Sequence, residues 1–382
     1  MHKNTIKKLK TYSLTFIFCF FISFMMSLFL IYPPKEYSAN EKRVLQPLPK
    51  FTLENFLNGS LVKDFEKYLS DNFAWRDFFV GMDAYCNLAI GKNGSNGIYK
   101  GKDGYLIRKP VEENMQNISQ NMDKLAEFAE KTGSNLDLII IPSTGFTMQD
   151  KLPMLHEQFT DDVILKEVKK MKSQKINLID LRDAFFNNKG VDQIYYKTDH
   201  HLTSKGTYLV YLEHCMKKSI TPIPIKRFSV ENHENFFGTA YSKSALWFAK
   251  PDIIQIFEMA DSPKFEVTIS DSDDKSKTAN TLFFKEHLNK DDKYPVFLDG
   301  NHSFVKIINP NLNEGKLLLI KDSFGQCLAP FLANHYREID MVDPRYYKHH
   351  ISDLLEKGHS QDVLLVYGLE DFVTDLSLHR LK

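Results

Sequence analysis

The sequence predicts an α/β fold with a mainly parallel sheet, and three observations predict it. Short apolar runs such as Leu136-Asp137-Leu138-Ile139-Ile140-Ile141 and Leu317-Leu318-Leu319-Ile320 have the length of buried strands. Between such runs lie stretches with apolar residues at helical spacing, for example Met115, Ile118, Met122, Leu125 and Phe128. The two kinds of segment alternate, which implies right-handed crossovers and helices on both faces of the sheet. Ligands then bind beyond the carboxyl ends of the strands.

The chain does not start with that domain. Lys3, Lys7, Lys8 and Lys10 precede an uncharged run over 12–32, followed by Pro33-Pro34. At ~1.5 Å per residue a helix of this length crosses a hydrocarbon core of about 30 Å. Lysines ahead of it place residues 1–11 in the cytoplasm and everything after 32 outside. A cleaved signal peptide competes with this reading, but no small-x-small site follows the run. A core helix would not be apolar on every face. A transmembrane signal anchor in the cell membrane is therefore expected.

Lys+Arg and Asp+Glu both count 49 over the 382 residues. That balance excludes a general nucleic-acid binder, which needs a basic surface. Of four cysteines, Cys19 falls in the span, and Cys86, Cys215 and Cys327 form no disulfide framework and read as core thiols. No nucleotide or flavin fingerprint is present, so no cofactor is expected.

Residues 33–60, with Pro33, Pro34, Pro47 and Pro49, read as an extracytoplasmic stalk. The α/β domain is assigned to 61–382. It opens with a helix over about 61–90 and a hairpin over 97–107 centred on Asp103-Gly104. Helices are expected over about 113–128 and 161–172, with strands at 136–142 and 176–181. Ile194, Tyr195 and Tyr196 read as a strand end, and a helix capped by Thr203 or Ser204 runs to about 219. About 222–300 breaks the rhythm and reads as a β-rich insertion, with 270–277 a solvated polar loop. Strands at 316–323, 338–343 and 363–367 then alternate with helices at 326–334 and 349–357.

Two places carry chemistry. Asp199-His200-His201 lies in the loop before the capped helix, where a carboxylate two residues from an imidazole can fix its tautomer and stabilise its charged form. A helix cap with two solvated histidines, or half of a metal site, would show the same three residues. No second ligand cluster in the sequence supports a metal. Ser323 stands where an apolar strand runs into Lys321-Asp322-Ser323-Phe324-Gly325, a position that exposes a serine oxygen near backbone N–H groups. Serine is also a common N-cap. Asp199, His201 and Ser323 together complete a Ser/His/Asp set, since such triads are defined by geometry and not by chain order.

These blocks resemble those of the DHHW-motif proteins, related to the AlgJ/AlgX group of SGNH-hydrolase-like polysaccharide O-acetyltransferases. The resemblance runs through Asn40-Glu41-Lys42-Arg43, Asp71-Asn72-Phe73, Gly101-Lys102-Asp103-Gly104-Tyr105-Leu106, Thr198-Asp199-His200-His201-Leu202-Thr203, Lys321-Asp322-Ser323-Phe324-Gly325 and Asp343-Pro344-Arg345-Tyr346-Tyr347. It implies an SGNH-like sandwich in permuted order, with the Asp-His block before the Ser block. It also implies Ser323 as nucleophile, His201 as base and Asp199 as the orienting carboxylate. The family's Trp after the second His is Leu202 here. Arg345, Asn301 and Thr239 become candidates for substrate or oxyanion contacts, against structural roles as a salt bridge or turns. His200 is a further candidate, against a solvated side chain or a partner of the base.

The function expected from this resemblance is acetyl transfer through a Ser323 ester to hydroxyls of an exported or cell-surface polysaccharide. An external enzyme of this kind needs a multi-span membrane partner of the membrane-bound O-acyltransferase type to deliver the acyl group. A carbohydrate esterase with the same triad, and a non-catalytic glycan-binding or assembly subunit, are the alternatives.

Overall fold

Eight strands form the central sheet of the computed structural model, which describes residues 2–271, 276–355 and 361–381. In chain order they are β1 (Leu136–Ile141), β2 (Ile176–Ile179), β3 (Glu266–Ser270), β4 (Ser276–Ala279), β5 (Phe304–Ile308), β6 (Lys316–Lys321), β7 (Glu338–Val342) and β8 (Asp362–Gly368). Across the sheet they run β4-β3-β5-β7-β6-β8-β1-β2. The block from β7 to β2 is parallel throughout. On the other side β5, β3 and β4 add an antiparallel edge.

The apolar runs are continuous because both faces are covered. Leu317 and Leu319 of β6 join Ile139, Leu364 and Val366 in one core. Leu318 and Ile320 point the other way, into a core with Leu138, Ile140 and Leu365. Helices α1 (Met115–Thr132) and α2 (Asp161–Met171) pack into the second core through Leu125 and Ile164. Helices α3 (Ser204–Lys218) and α4 (Gly325–Leu332) pack into the first, through Tyr211 and Leu328. α1 starts at Asn114, whose side chain accepts from the Asn117 N–H, and stops at Gly133 with φ 72°.

Several elements depart from the sequence reading. Tyr195 is not the end of a sheet strand; it makes an isolated antiparallel bridge with Leu202. Its aromatic neighbours read as a strand because they are buried, yet the chain turns back on itself within seven residues. The region 222–300 divides: Phe228–Phe236 and Asp252–Met259 form a separate two-stranded ribbon, while β3 and β4 extend the main sheet. In the polar patch 270–277, residues 272–275 lie outside the described residues. The helix expected at 349–357 is a single 3₁₀ turn, Ile351–Leu354, and 356–357 also lie outside them. The hairpin pairs Ile98–Lys100 with Leu106–Arg108 through Asp103 and Gly104, whose φ values of 55° and 85° suit its tight turn.

Residues up to Ile90, joined by Ala245–Trp247, form a unit of their own, so 61–90 group with the segment before them. That unit begins with the helix His2–Ile31, whose stretch Tyr12–Phe29 is long and apolar enough to cross a membrane. The stalk region holds a two-residue strand pair, Tyr37–Ser38 with Arg43–Val44, and the helix Leu53–Leu57. The single helix expected at 61–90 is two, Ser60–Asp71 and Arg76–Ala89, broken where Trp75 takes φ 57°. Cys86 is exposed, unlike the buried Cys215 and Cys327.

Candidate active site

The carboxyl ends of β6, β8 and β1 meet at one cleft, because the chain leaves β6 towards β7 and leaves β1 towards β2, in opposite directions. Ser323 follows β6 by two residues. Asp322 sets its loop: Oδ1 accepts from the Phe324 N–H (2.9 Å) and Oδ2 from the Gly368 N–H at the end of β8 (2.6 Å). Gly368 has no room for a side chain, as a Cβ there would stand 2.5 Å from the Phe324 ring. Burial and the nearby Asp371 push the Asp322 carboxyl up to about 7.

The Asp-His-His loop is held from outside the sheet. Asp252 accepts from the N–H groups of Lys197 (2.9 Å) and Thr198 (2.7 Å) and from Thr198 Oγ1 (2.6 Å). Tyr195 donates its hydroxyl to the Pro142 carbonyl just after β1. Thr203 Oγ1 accepts from the Gly206 N–H and caps α3. Gly206 is required there: a Cβ would fall 2.2 Å from the Ile194 carbonyl oxygen.

Between these two loops the three residues fall into line. His201 Nε2 lies 2.7 Å from Ser323 Oγ, and His201 Nδ1 lies 2.6 Å from Asp199 Oδ1. All three are buried. Asp199 also accepts from the backbone N–H groups of His201 (2.8 Å) and Thr239 (2.7 Å). Burial by itself would raise its carboxyl, but the charges and hydrogen bonds of His201 and His200 outweigh that and hold it well below the usual range. The ionised carboxylate favours Nδ1–H on His201, leaving Nε2 to accept a proton from Ser323.

The imidazole is fixed by rings. Tyr294 stacks on His201 with centroids 4.0 Å apart and planes 12° from parallel, and Phe324 lies at 5.2 Å. Leu202 is buried in the core, and the rings beside this imidazole come from Tyr294, His200 and Phe324. Gly238 lies against Asp199, where a Cβ would stand 2.2 Å from Oδ2. Nothing local in the sequence marks Tyr294 or Asp252 for these contacts.

The other candidates take specific partners. His200 Nδ1 sits 2.8 Å from Thr239 Oγ1 and 3.1 Å from Asp199 Oδ1. Thr239 commits its N–H to Asp199, and its hydroxyl lies beside His200 and Arg108. Arg345 forks onto Asp343 (2.9 and 2.8 Å) and reaches Asp371 (3.0 Å). Asn301 accepts through Oδ1 from Lys321 Nζ (3.2 Å) and Gln326 Nε2 (3.0 Å), and among the described residues nothing accepts from its Nδ2. Arg108, unmarked by sequence reasoning, lines the cleft with His200, Phe324 and Glu370.

Asp199, His200 and His201 bring one ligand atom each within 4.8 Å of one another, as do Glu286, His287 and Asp299. In the first set two members are committed to the Ser323 relay. In the second, Asp299 is also paired with Lys277 at 3.0 Å.

Burial and the charge on His201 push the His200 imidazole down to about 3. A histidine with a depressed folded pKa stabilises the protein above its unfolded value near 6.5, and that contribution is lost as pH falls towards 3. The slope is at most about 1.4 kcal/mol per pH unit. Denaturation midpoints at pH 6.5 and 4.5 should therefore differ less in His200→Gln than in the native chain. An unchanged difference would show that His200 is not held neutral.

The family model described as DHHW protein matches residues 99–342. No curated protein sequence matches the chain. Among solved structures, a DHHW family protein from Eubacterium siraeum DSM 15702 aligns with a TM-score of 0.64 at 21% identity, over 75% of this chain and 95% of that one. Bacillus cereus PatB1 with a sulfonyl adduct aligns with a TM-score of 0.65 at 20% identity, over 75% and 98%. Both share the fold. The O-acetyltransferase domain of Pseudomonas putida AlgJ, at a TM-score of 0.46 and 14% identity over 75% and 98%, is too distant to establish more.

Proposed function

We propose that this chain, which belongs to the DHHW family, is a membrane-anchored O-acetyltransferase whose domain outside the membrane moves an acetyl group through Ser323 to a polysaccharide hydroxyl. The observation that carries the reading is the unbroken relay Ser323 Oγ, His201, Asp199, with hydrogen-bond distances of 2.7 and 2.6 Å. We read the chain order Asp, His, Ser as a permuted SGNH arrangement.

In this mechanism His201 Nε2 takes the Ser323 proton as Oγ attacks the acyl carbonyl. Asp199 stabilises the imidazolium that results. Asn301 Nδ2 and the Ser323 backbone N–H are the donors we assign to the oxyanion, since the Phe324 N–H is held by Asp322. His201 returns the proton to the leaving group, and the acetyl group stays on Oγ as an ester. A sugar hydroxyl then gives its proton to His201 and attacks the ester, and as the acyl–Oγ bond breaks His201 passes that proton to Ser323 Oγ, releasing the acetylated sugar and the free serine.

Transfer needs the sugar to outcompete water, which a largely buried Ser323 favours. Cytoplasmic acetyl-CoA cannot reach a site beyond the membrane, so a multi-span acyl-donor partner belongs to this reading.

The test is full-length protein in detergent with an activated acetyl ester, followed by peptide mass spectrometry. A sulfonyl fluoride is a second probe, since PatB1 carries a sulfonyl adduct. An acetyl group on Ser323 that drains faster with added oligosaccharide than in buffer is expected. Equal loss with and without sugar would make the chain an esterase. No adduct on a folded chain would leave a glycan-binding subunit.

A further inference from the structure

After its apolar N-terminal helix, the unit that runs to Ile90 gathers its charges and leaves its rings outside. Buried Asp71 accepts from Arg43 at 2.9 and 2.6 Å, and Arg76 reaches Glu41 at 2.8 Å. The helix Arg76–Ala89 and its flanks instead show an apolar stripe: Trp75, Phe78, Met82 and Ile90 are 54, 63, 44 and 74% exposed, and Cys86 is exposed with them. Steps of four residues put Phe78, Met82 and Cys86 on one helical face, with Trp75 and Ile90 flanking the helix at its two ends. Phe51, Leu53, Phe56 and Leu57 are exposed on the segment before it. Apolar surface at this density marks a docking face and not a solvent-facing one.

Two ring contacts identify what it docks on. Phe24 lies 6.5 Å from Trp75, and Phe29 lies 6.0 Å from Tyr68. Both phenylalanines belong to the stretch long and apolar enough to cross a membrane. Phe24 stands eight residues before Tyr32, about 12 Å along a helix of ~1.5 Å rise. The medium that surrounds the helix at Phe24 therefore surrounds Trp75 as well. Tryptophan and tyrosine favour the membrane–water interface, and amphipathic helices lie with their apolar face about 5–10 Å into it.

We propose that residues 51–90 form an interfacial platform whose apolar stripe is buried in the lipid leaflet where the N-terminal helix leaves the membrane. The occupant of the stripe is the bilayer, not a second protein. The proposal rests on the membrane-anchor part of the functional reading and adds that the chain lies on the membrane over some forty residues, beyond being tethered to it.

The chain has two tryptophans, Trp75 and Trp247. With Trp247→Phe in the full chain, reconstituted in phosphatidylcholine vesicles, Trp75 fluorescence should fall about two-fold when the lipid is brominated near the headgroup end of its acyl chains. A companion chain with both tryptophans changed to Phe and Phe21→Trp, read with lipid brominated near the ends of its acyl chains, reports the span. Quenching of the span without Trp75 overturns the platform and leaves the anchor standing; quenching of neither overturns both. A nitroxide on Cys86, with Cys19→Ser, repeats the measurement with both tryptophans in place. Faster collision with oxygen than with a polar nickel chelate supports lipid burial, and the reverse overturns it. Spin–spin broadening between labels would make a second copy the occupant and overturn the proposal.

Discussion

Replacing Ser323 by alanine should lower turnover of an activated acetyl ester by about 10⁶-fold, and removing His201 as well should cost little more. A nucleophile and base that work through one shared proton act as a unit, so losing either forfeits nearly all they do together. The 2.7 Å contact between His201 Nε2 and Ser323 Oγ is the basis for expecting that here. Among the described residues no nearby group is placed to replace either member. His200 is held neutral and turned to Thr239 and Asp199. Cys327 is buried beside Ser204, and burial raises its thiol to about 11. Steady-state ester and glycan assays on both single variants and the double variant decide the matter. Residual activity within ten-fold of the native chain in Ser323→Ala would remove the acyl-enzyme from the mechanism. A double variant far slower than either single would separate the two roles.

How much of this site was legible follows from where its contacts lie along the chain. Asp199 and His201 are two residues apart, and one carboxylate oxygen binds both the ring and the backbone N–H of His201, so the pattern is local and readable. Ser323 is readable because a four-residue apolar run ends just before it. Tyr294 is not, since its stacking on His201 arises only once the segment before β5 folds over the loop. Thr239 and Arg345 were visible as residues but not as roles. The Thr239 N–H is fixed by a carboxylate forty residues away, and the Arg345 fork by Asp343 and Asp371.

The fold shows the same division. The parallel strands β1, β6 and β8 announce themselves because both faces are buried and each carries a run of at least three consecutive apolar residues. β3 and β5 alternate buried residues with exposed or partly exposed ones, so β3 reads as part of the insertion and β5 carries no signal that assigns it to the sheet. Tyr195 has strand composition but only a single bridge. The break between the helices at 60–71 and 76–89 contains neither proline nor glycine, so its left-handed Trp75 left no trace in the pattern.

Asp343→Ala should destabilise the chain by about 3–5 kcal/mol, the cost of stranding a buried charge. Lys321, 1% exposed at the end of β6, has its ammonium 3.3 Å from Asp343 Oδ2 and 3.2 Å from Asn301 Oδ1. Burial pulls its pKa below the usual lysine range, with Asp343 as the chief opposing influence. Its stem lies close to Gly325, where a Cβ would come within 2.5 Å, so it has little freedom to swing out to water. Arg345 would still have Asp371, but Lys321 would keep only a neutral amide. Set against a typical stability of about 5–15 kcal/mol, the loss is large and should appear as a lower melting temperature. Lys321→Met added to Asp343→Ala removes the stranded charge and should recover part of it, since a hydrophobic stem suits the site. A single variant that melts with the native chain would show the pair to be inessential, and a double variant worse than the single would show that Lys321 acts through more than its charge. Because Lys321 lies two residues before Ser323 and holds Asn301, the double variant also separates stability from chemistry. It should fold and still acylate Ser323 more slowly if Asn301 serves the oxyanion, and at the native rate if it does not.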